Sequence, residues 1–561
     1  MSRYRQTFRL DDPIQEDGDN GFLGFNSREN PETLPSGILT FAQNMRFDRG
    51  TAQVRKGLKW LGDQLSGVMT SGEKVFASCA YYDQTNKRNY IAMACQTRAL
   101  LYDVVNDITL AIPYPTDANG MDEDVDTQSE IDALGLTQET ISASDQVGMV
   151  QLFNRLYIFR GENKAPMQCE VPSGSVFQLV SHATLNFQLD RAIYSDPLNV
   201  PNSDFAVAAF NRLIAPVSRD QVGFSDILDP FHFDIRNNFY VNQGDNDSIV
   251  ALTPFSEGQL IVFKRNSIHL ITNVYNLDAS ATYEITRQLG CVSRRSVASV
   301  GDQVFFLSDN GVHGLTTGIN ADASTSTPVA LLKTRNDPLS APIQDIIENI
   351  NFDAAQKAVG IYFNNRYYLA VPYGSSQTTN NRVLVYNTLN KQWESIDSFP
   401  SNVAIDDLLI TDYNNNKRLF ATSTDGVIML FEEQNIDDDN SGTDTEIQGQ
   451  VTTRRYTLQT SDIKRWHYGI ANWENSSDPE DEDNSSDTLS LKVKTTNPDS
   501  EETIISNQTA TAPGDLTKRF SLGRKRGYGI QLDLTTTAGR PIIRTLGVSG
   551  RVNLRSYKEL T

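Results

Sequence analysis

The chain has 561 residues, enough for more than one domain, since a single core rarely grows past about 250–300 residues. Hydrophobic residues make up 39% and charged residues 21%, which leaves ample apolar material for a core, and a remainder rich in Asn, Asp, Ser, Thr and Gly suits many short strands joined by polar turns. A formal charge of −21 and a pI near 4.7 speak against a protein that grips phosphates, because nucleic-acid affinity comes mainly from Lys and Arg. An acidic surface either keeps a large assembly soluble or lets a phosphate backbone slide past.

Residues 1–60 hold many turn signals and few alternating runs, so 1–67 is expected to be an extended N-terminal arm. Its Phe22, Phe25, Phe41, Phe47 and Trp60 need a surface to cover, on their own domain or on a neighbouring subunit. No stretch has the length or apolarity of a signal peptide's core or a membrane span, so a soluble chain that is not exported is expected.

From about residue 68 the texture becomes short alternating runs broken by Gly, Asn and Asp, the pattern of antiparallel hairpins. Strands are expected at Val75–Tyr82, Tyr90–Ala94, Gln151–Phe159, Ala206–Pro216, Gln221–Ser225, Leu260–Lys264, Ser267–Thr272, Gln303–Ser308 and Val312–Leu315. More follow at Ala358–Phe363, Arg366–Val371, Arg382–Asn387, Trp393–Ile396, Arg418–Thr422 and Val427–Phe431. Asn310-Gly311, Asn364-Asn365 and Asp425-Gly426 supply the positive-φ residues that tight hairpins need. Hairpins recurring every 40–55 residues fit blades of four strands, which bury both faces only when stacked around an axis. The run 382–396 has the outer-hairpin texture of kelch-like blades, although a generic amphipathic hairpin would look the same.

Two helices are expected, at Ser129–Thr140 and at Pro342–Ile350, where Ile343, Ile346, Ile347 and Ile350 fall at helical spacing. Asp117–Asp126 reads as a solvated acidic loop. The acidic stretch 437–442 ends the repeating region. Beyond it, Val451–Gln459, Thr488–Lys494, Gly527–Leu534 and Ile542–Val552 suggest a small β-sandwich, interrupted by the acidic insert 475–487. The expected fold is therefore all-β: a β-propeller over 68–435, the arm 1–67, a β-sandwich-like domain over 436–561 and minor helices.

Chemistry-bearing patterns are sparse. Cys79, Cys95, Cys169 and Cys291 form no C-x-x-C pair and read as core residues in a reducing cytoplasm. His182, His232, His269, His313 and His467 show no paired-ligand spacing, and His269 and His313 fall mid-strand as structural imidazoles. No nucleophile elbow, phosphate loop or dinucleotide turn occurs. Ser308-Asp309-Asn310-Gly311 and Ser423-Thr424-Asp425-Gly426 read as hairpin turns.

Asp437, Asp439 and Ser441 before Gly442 resemble a calcium loop, but Gln448 stands where the bidentate Glu belongs, which favours a solvated linker. Carboxylates paired from separate blades could support glycoside hydrolysis, and spacing alone cannot reveal such a pair. The basic run Arg524-Lys525-Arg526, with Lys518-Arg519 before it, suits carboxylates of a neighbouring subunit better than nucleic acid. No catalytic, cofactor or metal residues are assigned, no cofactor is expected, and the chain is expected not to be an enzyme.

Motifs in a fixed order complete the reading. The arm carries Leu34-Pro35-Ser36-Gly37, Asn44-Met45-Arg46-Phe47-Asp48 and Val54-Arg55-Lys56-Gly57. The middle carries Asn211-Arg212-Leu213, Val222-Gly223-Phe224-Ser225-Asp226, Asp229-Pro230-Phe231-His232-Phe233, 258–264, Asn266-Ser267-Ile268, Gly290-Cys291-Val292, Ser296-Val297 and 303–308. In this order they resemble the nozzle or hub proteins of short-tailed bacteriophage tails, over roughly 30–60 and 205–435; the insert 475–487 lies outside that pattern.

The resemblance implies a structural virion protein of the tail, made in the host cytoplasm and forming a homo-oligomeric ring, six copies in number. The ring would sit below the adaptor ring of the portal, enclose the channel through which double-stranded DNA leaves, and dock tail fibres or a needle. The alternatives are a lectin-like receptor-binding propeller adhesin, which the four Trp do not favour, and a propeller glycosidase or depolymerase.

Overall fold

The computed structural model describes residues 14–61, 68–69, 73–114, 139–142, 146–170, 178–179, 200–319, 330–334, 337–400, 403–432, 437–440, 443–474, 487–496, 499–509 and 517–552. The helix expected at Ser129–Thr140 and the acidic loop 117–126 lie outside the described residues, apart from Glu139 and Thr140.

Among the described residues, seven sets of four antiparallel strands follow one another along the chain. The first runs through Ala77–Asp83, Arg88–Ala94, Arg98–Asp103 and Ile108–Pro113. The second comprises Gly148–Leu152, Arg155–Phe159, Met167–Glu170 and Gln178–Leu179. The third, Val207–Ala209, Arg212–Ser218, Gln221–Phe224 and Asn238–Tyr240, leads into the fourth, Ile249–Phe255, Gln259–Lys264, Ile268–Thr272 and Ala281–Thr286.

The fifth uses Ala298–Val300, Gln303–Ser308, Gly311–Ile319 and Ala330–Thr334. The sixth, Val359–Phe363, Arg366–Val371, Arg382–Asn387 and Gln392–Ser398, is one end of a nine-stranded sheet. The seventh has three strands of its own, Asp407–Tyr413, Asn416–Thr422 and Ile428–Leu430, and takes its outermost strand, Lys59–Leu61, from the arm. Trp60 there pairs with Met429.

Side-chain alternation explains why the sets stack into a ring. In the fourth, Leu260, Val262 and Ile271 face Ile214, Val222 and Phe224 of the third, while Ile261, Phe263 and Leu270 face Val304, Phe306 and Leu315 of the fifth. Period-two patterning thus loads both faces of every blade, and each blade needs two neighbours. Separate cores join the first to the second, the second to the third, the sixth to the seventh and the seventh back to the first. The fifth meets the sixth through Phe305, Leu307, Tyr367 and Leu369. The ring is closed, and the molecule is a β-propeller.

The expected strands Gln151–Phe159 and Ala206–Pro216 are each a hairpin. Phe153 turns the first with φ 54°, and Phe210 and Asn211 turn the second with φ 56° and 57°. Each reversal pairs a Phe with an Asn, Phe153-Asn154 and Phe210-Asn211, and sits inside an apolar run. The helix expected at Pro342–Ile350 is shorter, a 3-10 turn Ala341–Ile343 followed by one α turn, Gln344–Ile347. Its four isoleucines are all buried against the fifth and sixth blades.

Beyond the propeller, two sheets pack over one core. One is the continuation of the sixth blade through Phe41–Gln43, Gln450–Thr452, Gly529–Ala538, Thr488–Thr496 and Ser500–Thr509. The other has seven strands, including Lys464–Glu474 and Ile542–Val552, and the arm supplies Gln15–Asp19, Met45–Asp48 and Thr51–Val54 to it. The strand expected at Val451–Gln459 is ordered as a strand only over Gln450–Thr452, and the chain then turns, with Leu458 and Gln459 at positive φ. The arm's aromatic residues are satisfied within their own chain: Phe22, Phe25 and Phe47 are fully buried in the core shared with the sandwich.

Candidate functional site

Two built features organise the molecule, a hub at the propeller axis and a clasp that binds the arm. The hub is the 3-10 turn Arg294–Ser296, between the fourth and fifth blades. Arg294 donates to the carbonyls of Asp204 (3.1 Å) and Val147 (2.9 Å), just before the inner strands of the third and second blades. Arg295 donates to the carbonyls of Asp406 (3.0 Å) and Phe76 (3.5 Å), just before those of the seventh and first. Ser293 completes the set by donating to Gln356 and Ala358 at the start of the sixth.

Two adjacent guanidiniums therefore cross-brace the ends of the inner strands. Burial, and then the neighbouring Arg295, lower the Arg294 pKa to about 10, so it remains a cation at neutral pH. The backbone packs closely here: a Cβ on Gly360 would lie 2.6 Å from the Ser296 carbonyl, and one on Gly148 would lie 2.8 Å from that of Asp204.

The clasp explains the arm motif Asn44-Met45-Arg46-Phe47-Asp48. Asn44, left-handed at φ 54°, accepts the Ser398 amide at 2.8 Å on its side chain. Arg46 forms a bidentate pair with Asp397 (3.0 and 2.6 Å) and a third bond to Glu432 (2.5 Å). Arg366 of the sixth blade joins Glu394 (2.6 Å) to Asp48 (2.8 Å), and Glu394 also accepts the Phe47 amide.

Eight residues on from Phe47, Arg55 holds Asp438 through two bonds (2.8 and 2.5 Å) and lies over the Phe399 ring. Burial opposes the charge on Arg46, but Asp397 and Glu432 outweigh it and hold its pKa well above the ordinary value. Burial would likewise raise Glu432, yet Arg46 and Arg366 prevail and lower it. A second knot ties the start of the arm: Arg454 holds Asp17 (2.5 Å) and Asp19 (3.0 Å), and Asp19 also accepts Tyr456 Oη–H at 2.8 Å.

The third blade displays a rigid loop at the Ser225-Asp226 and Asp229-Pro230 motifs. Asp226 accepts Asn237 Nδ2–H at 3.0 Å and pairs with His232 Nδ1 at 2.5 Å, and its amide donates to the His232 carbonyl. The hydrogen bond to Asp226 raises the His232 pKa. Leu228, at φ 65°, and Ile227 and Ile235 are exposed on this loop.

The other residues singled out in the sequence remain apart. His269 bonds Ser267, His313 stacks on Phe306, His467 lies in the seven-stranded sheet and His182 falls outside the described residues. Asp439 accepts the Trp60 amide and Asp438 is held by Arg55, while Ser441 and Gly442 fall outside the described residues. Among the described residues no group of three or more His, Cys, Asp or Glu could hold a metal. Asp309 and Asp425 sit in hairpin turns, paired with Arg265 and Lys74. Burial pushes the Cys79, Cys95 and Cys291 thiols up to about 12, as inert core residues require. No described helix is long and apolar enough to cross a membrane.

The third, fourth and fifth blades carry a likeness to a known family. Residues 207–335 match the family model described as bacteriophage P22 Gp10, beta-propeller. The match and the fold together support a bacteriophage structural protein built on a propeller, a component of the virion. No curated protein matches. Among solved structures, a chain of the "Crystal Structure of Mitotic Checkpoint Complex" aligns with a TM-score of 0.37 and 9% identity, over 64% of this chain and 90% of that chain.

Proposed function

We propose that this chain is a ring-forming nozzle or hub subunit of a short bacteriophage tail, structural rather than catalytic. In this reading it sits below the portal and its adaptor ring, encloses the channel through which DNA leaves, and offers its outer surface to fibres or a needle. The observation that carries the reading is the match of residues 207–335 to the phage propeller family, over the segment that holds most of the ordered motifs.

The hub supports the same division of labour. Arg294 and Arg295 brace one end of the propeller's own axis, so a duplex would pass between copies rather than through a blade ring. A formal charge of −21 suits a wall that a phosphate backbone passes without sticking. Mass photometry of the full chain, alone and mixed with portal and adaptor, tests the proposal. Closed multiples of the chain are expected, six being the number the resemblance implies, and a single copy under both conditions contradicts it.

A further inference from the structure

Most of the exposed aliphatic side chains among the described residues fall in two groups on the propeller's rim. One is the outer edge of the first blade, where Val105 is 59% exposed in the turn before the outermost strand and Ile108 and Leu110 are exposed on that strand. Ile108–Pro113 pairs on one side only, with Arg98–Asp103, so its outer backbone groups are open to a further partner. The turn is fixed: Asp103 accepts the Val105 and Asn106 amides at 3.0 and 3.1 Å, and Asp107 accepts Tyr102 Oη–H at 2.8 Å.

The other group is the displayed loop of the third blade, with Ile227 exposed, Leu228 at 64% and Ile235 at 80%. A leucine at φ 65° occupies a backbone conformation that Gly, Asn or Asp adopts at less cost, and its side chain gains little burial in return. The loop is held nonetheless: the Leu228 amide donates to the Asn211 carbonyl at 2.9 Å, and Phe231 packs on Tyr157 and under the Arg155 guanidinium. Apolar side chains on a strained, rigid support fit a contact outside the chain, since little ordering is left to be done on binding. The spacing of the two groups suits a ring. Seven blades close the propeller in chain order, so the first and third stand two-sevenths of a turn apart, about 103°. A subunit in a flat ring of five or six presents its two contact faces about 108° or 120° apart.

We propose that the first-blade edge, at Val105, Ile108 and Leu110, docks against the third-blade loop carrying Ile227, Leu228 and Ile235 of a second copy of this chain. The contact joins two different surfaces, so it runs head to tail and closes when the propeller axes lie parallel to the ring axis. Burying both groups removes on the order of 600 Å² of apolar surface, a substantial part of the roughly 1,600 Å² of a specific interface. Charge agrees: Arg88, 3.6 Å from Asp103, and the exposed Lys87 set cations beside the first group, while Asp226, Asp229 and Asp234 set carboxylates beside the second. In such a ring the second blade faces the lumen, and the sandwich, extending from the sixth blade almost opposite, faces outward. The inference rests on the ring-forming reading.

The test uses the two-sidedness of the contact, with Val105→Asp and Leu228→Asp made separately in the full chain. Both positions are exposed and Asp tolerates the left-handed backbone at 228, so the melting curves should match the wild type. In mass photometry each variant alone is expected to assemble about tenfold less than the wild type at equal concentration. An equimolar mixture should regain pairs and stop there, because the Leu228→Asp copy keeps its blade edge and the Val105→Asp copy keeps its loop. Wild-type rings that neither substitution weakens, or a mixture no better than its components, overturn this contact and leave the ring reading standing. A wild type that associates through this contact without closing keeps the contact and removes the ring reading. A wild type that stays single, alone and with portal and adaptor, overturns both.

Discussion

Arg46 shows how much of the molecule hangs on single side chains. It is buried, and three of its bonds reach Asp397 and Glu432, the latter 386 positions away. Removing one partner of such a pair strands the others without compensation, which costs about 3–5 kcal/mol. Arg46→Ala should lower the urea-unfolding free energy by that amount, whereas Arg236→Ala, at an exposed ion pair, should change it by less than about 1 kcal/mol. Equal effects would refute the clasp.

Glu432 adds a pH signature. Its folded pKa lies below the ordinary 4.5, so its contribution is present above that value and is lost as the pH falls through the folded pKa. The stability difference between the wild type and Glu432→Gln should therefore shrink on acidification below about pH 4.5, read from urea midpoints across the acid range. A difference independent of pH there would remove Glu432 from the clasp. The arm motif was visible in the sequence as a pattern. Its meaning was not, because Asp397, Glu432 and Asp438 lie more than 340 positions downstream and no spacing links them.

At the scale of elements, strands were legible where an Asn or Gly turn separated two distinct alternating runs. Arg366–Val371, Arg382–Asn387 and Gln303–Ser308 fall where alternation put them, and Asn364 and Asn365 turn with φ 47° and 61°. The turns Phe153-Asn154 and Phe210-Asn211 also carry Asn, yet each lies inside an apolar run, and the two hairpins passed as single strands. Strands such as Ile249–Phe255 and Ala281–Thr286 were not anticipated: Pro254 interrupts the near-continuous apolar run of the first, and Thr282, Glu284 and Thr286 dilute the second.

The blade interfaces are also a measurable property of these elements. Phe306 is fully buried between the fourth and fifth blades, against Phe263 and His313. Phe306→Ala should cost about 3–5 kcal/mol in equilibrium denaturation, and a change below 1 would mean that the two blades do not share this core. Deleting residues 1–61 tests the arm as an element. It removes the outermost strand of the seventh blade, the strand Phe41–Gln43 inside the nine-stranded sheet and three strands of the facing sheet. The expected product is insoluble or melts without a cooperative transition, and a soluble chain with a sharp calorimetric transition would contradict the fold's dependence on the arm.

For the whole molecule, the propeller was legible from hairpin recurrence, because blades with two apolar faces have few other solutions. The closure was not. The seventh blade borrows a strand from the arm, and the sandwich draws strands from both ends of the chain, pairings that local patterning does not encode. A closed ring of blades with a braced hub suits a structural building block. The most direct measurement is electron cryo-microscopy of the phage particle whose genome encodes this chain. The account predicts a closed ring of copies around the tail axis, next to the portal and adaptor, with the DNA path running between the subunits. Particles without the chain, or with it as isolated copies away from the axis, would contradict it.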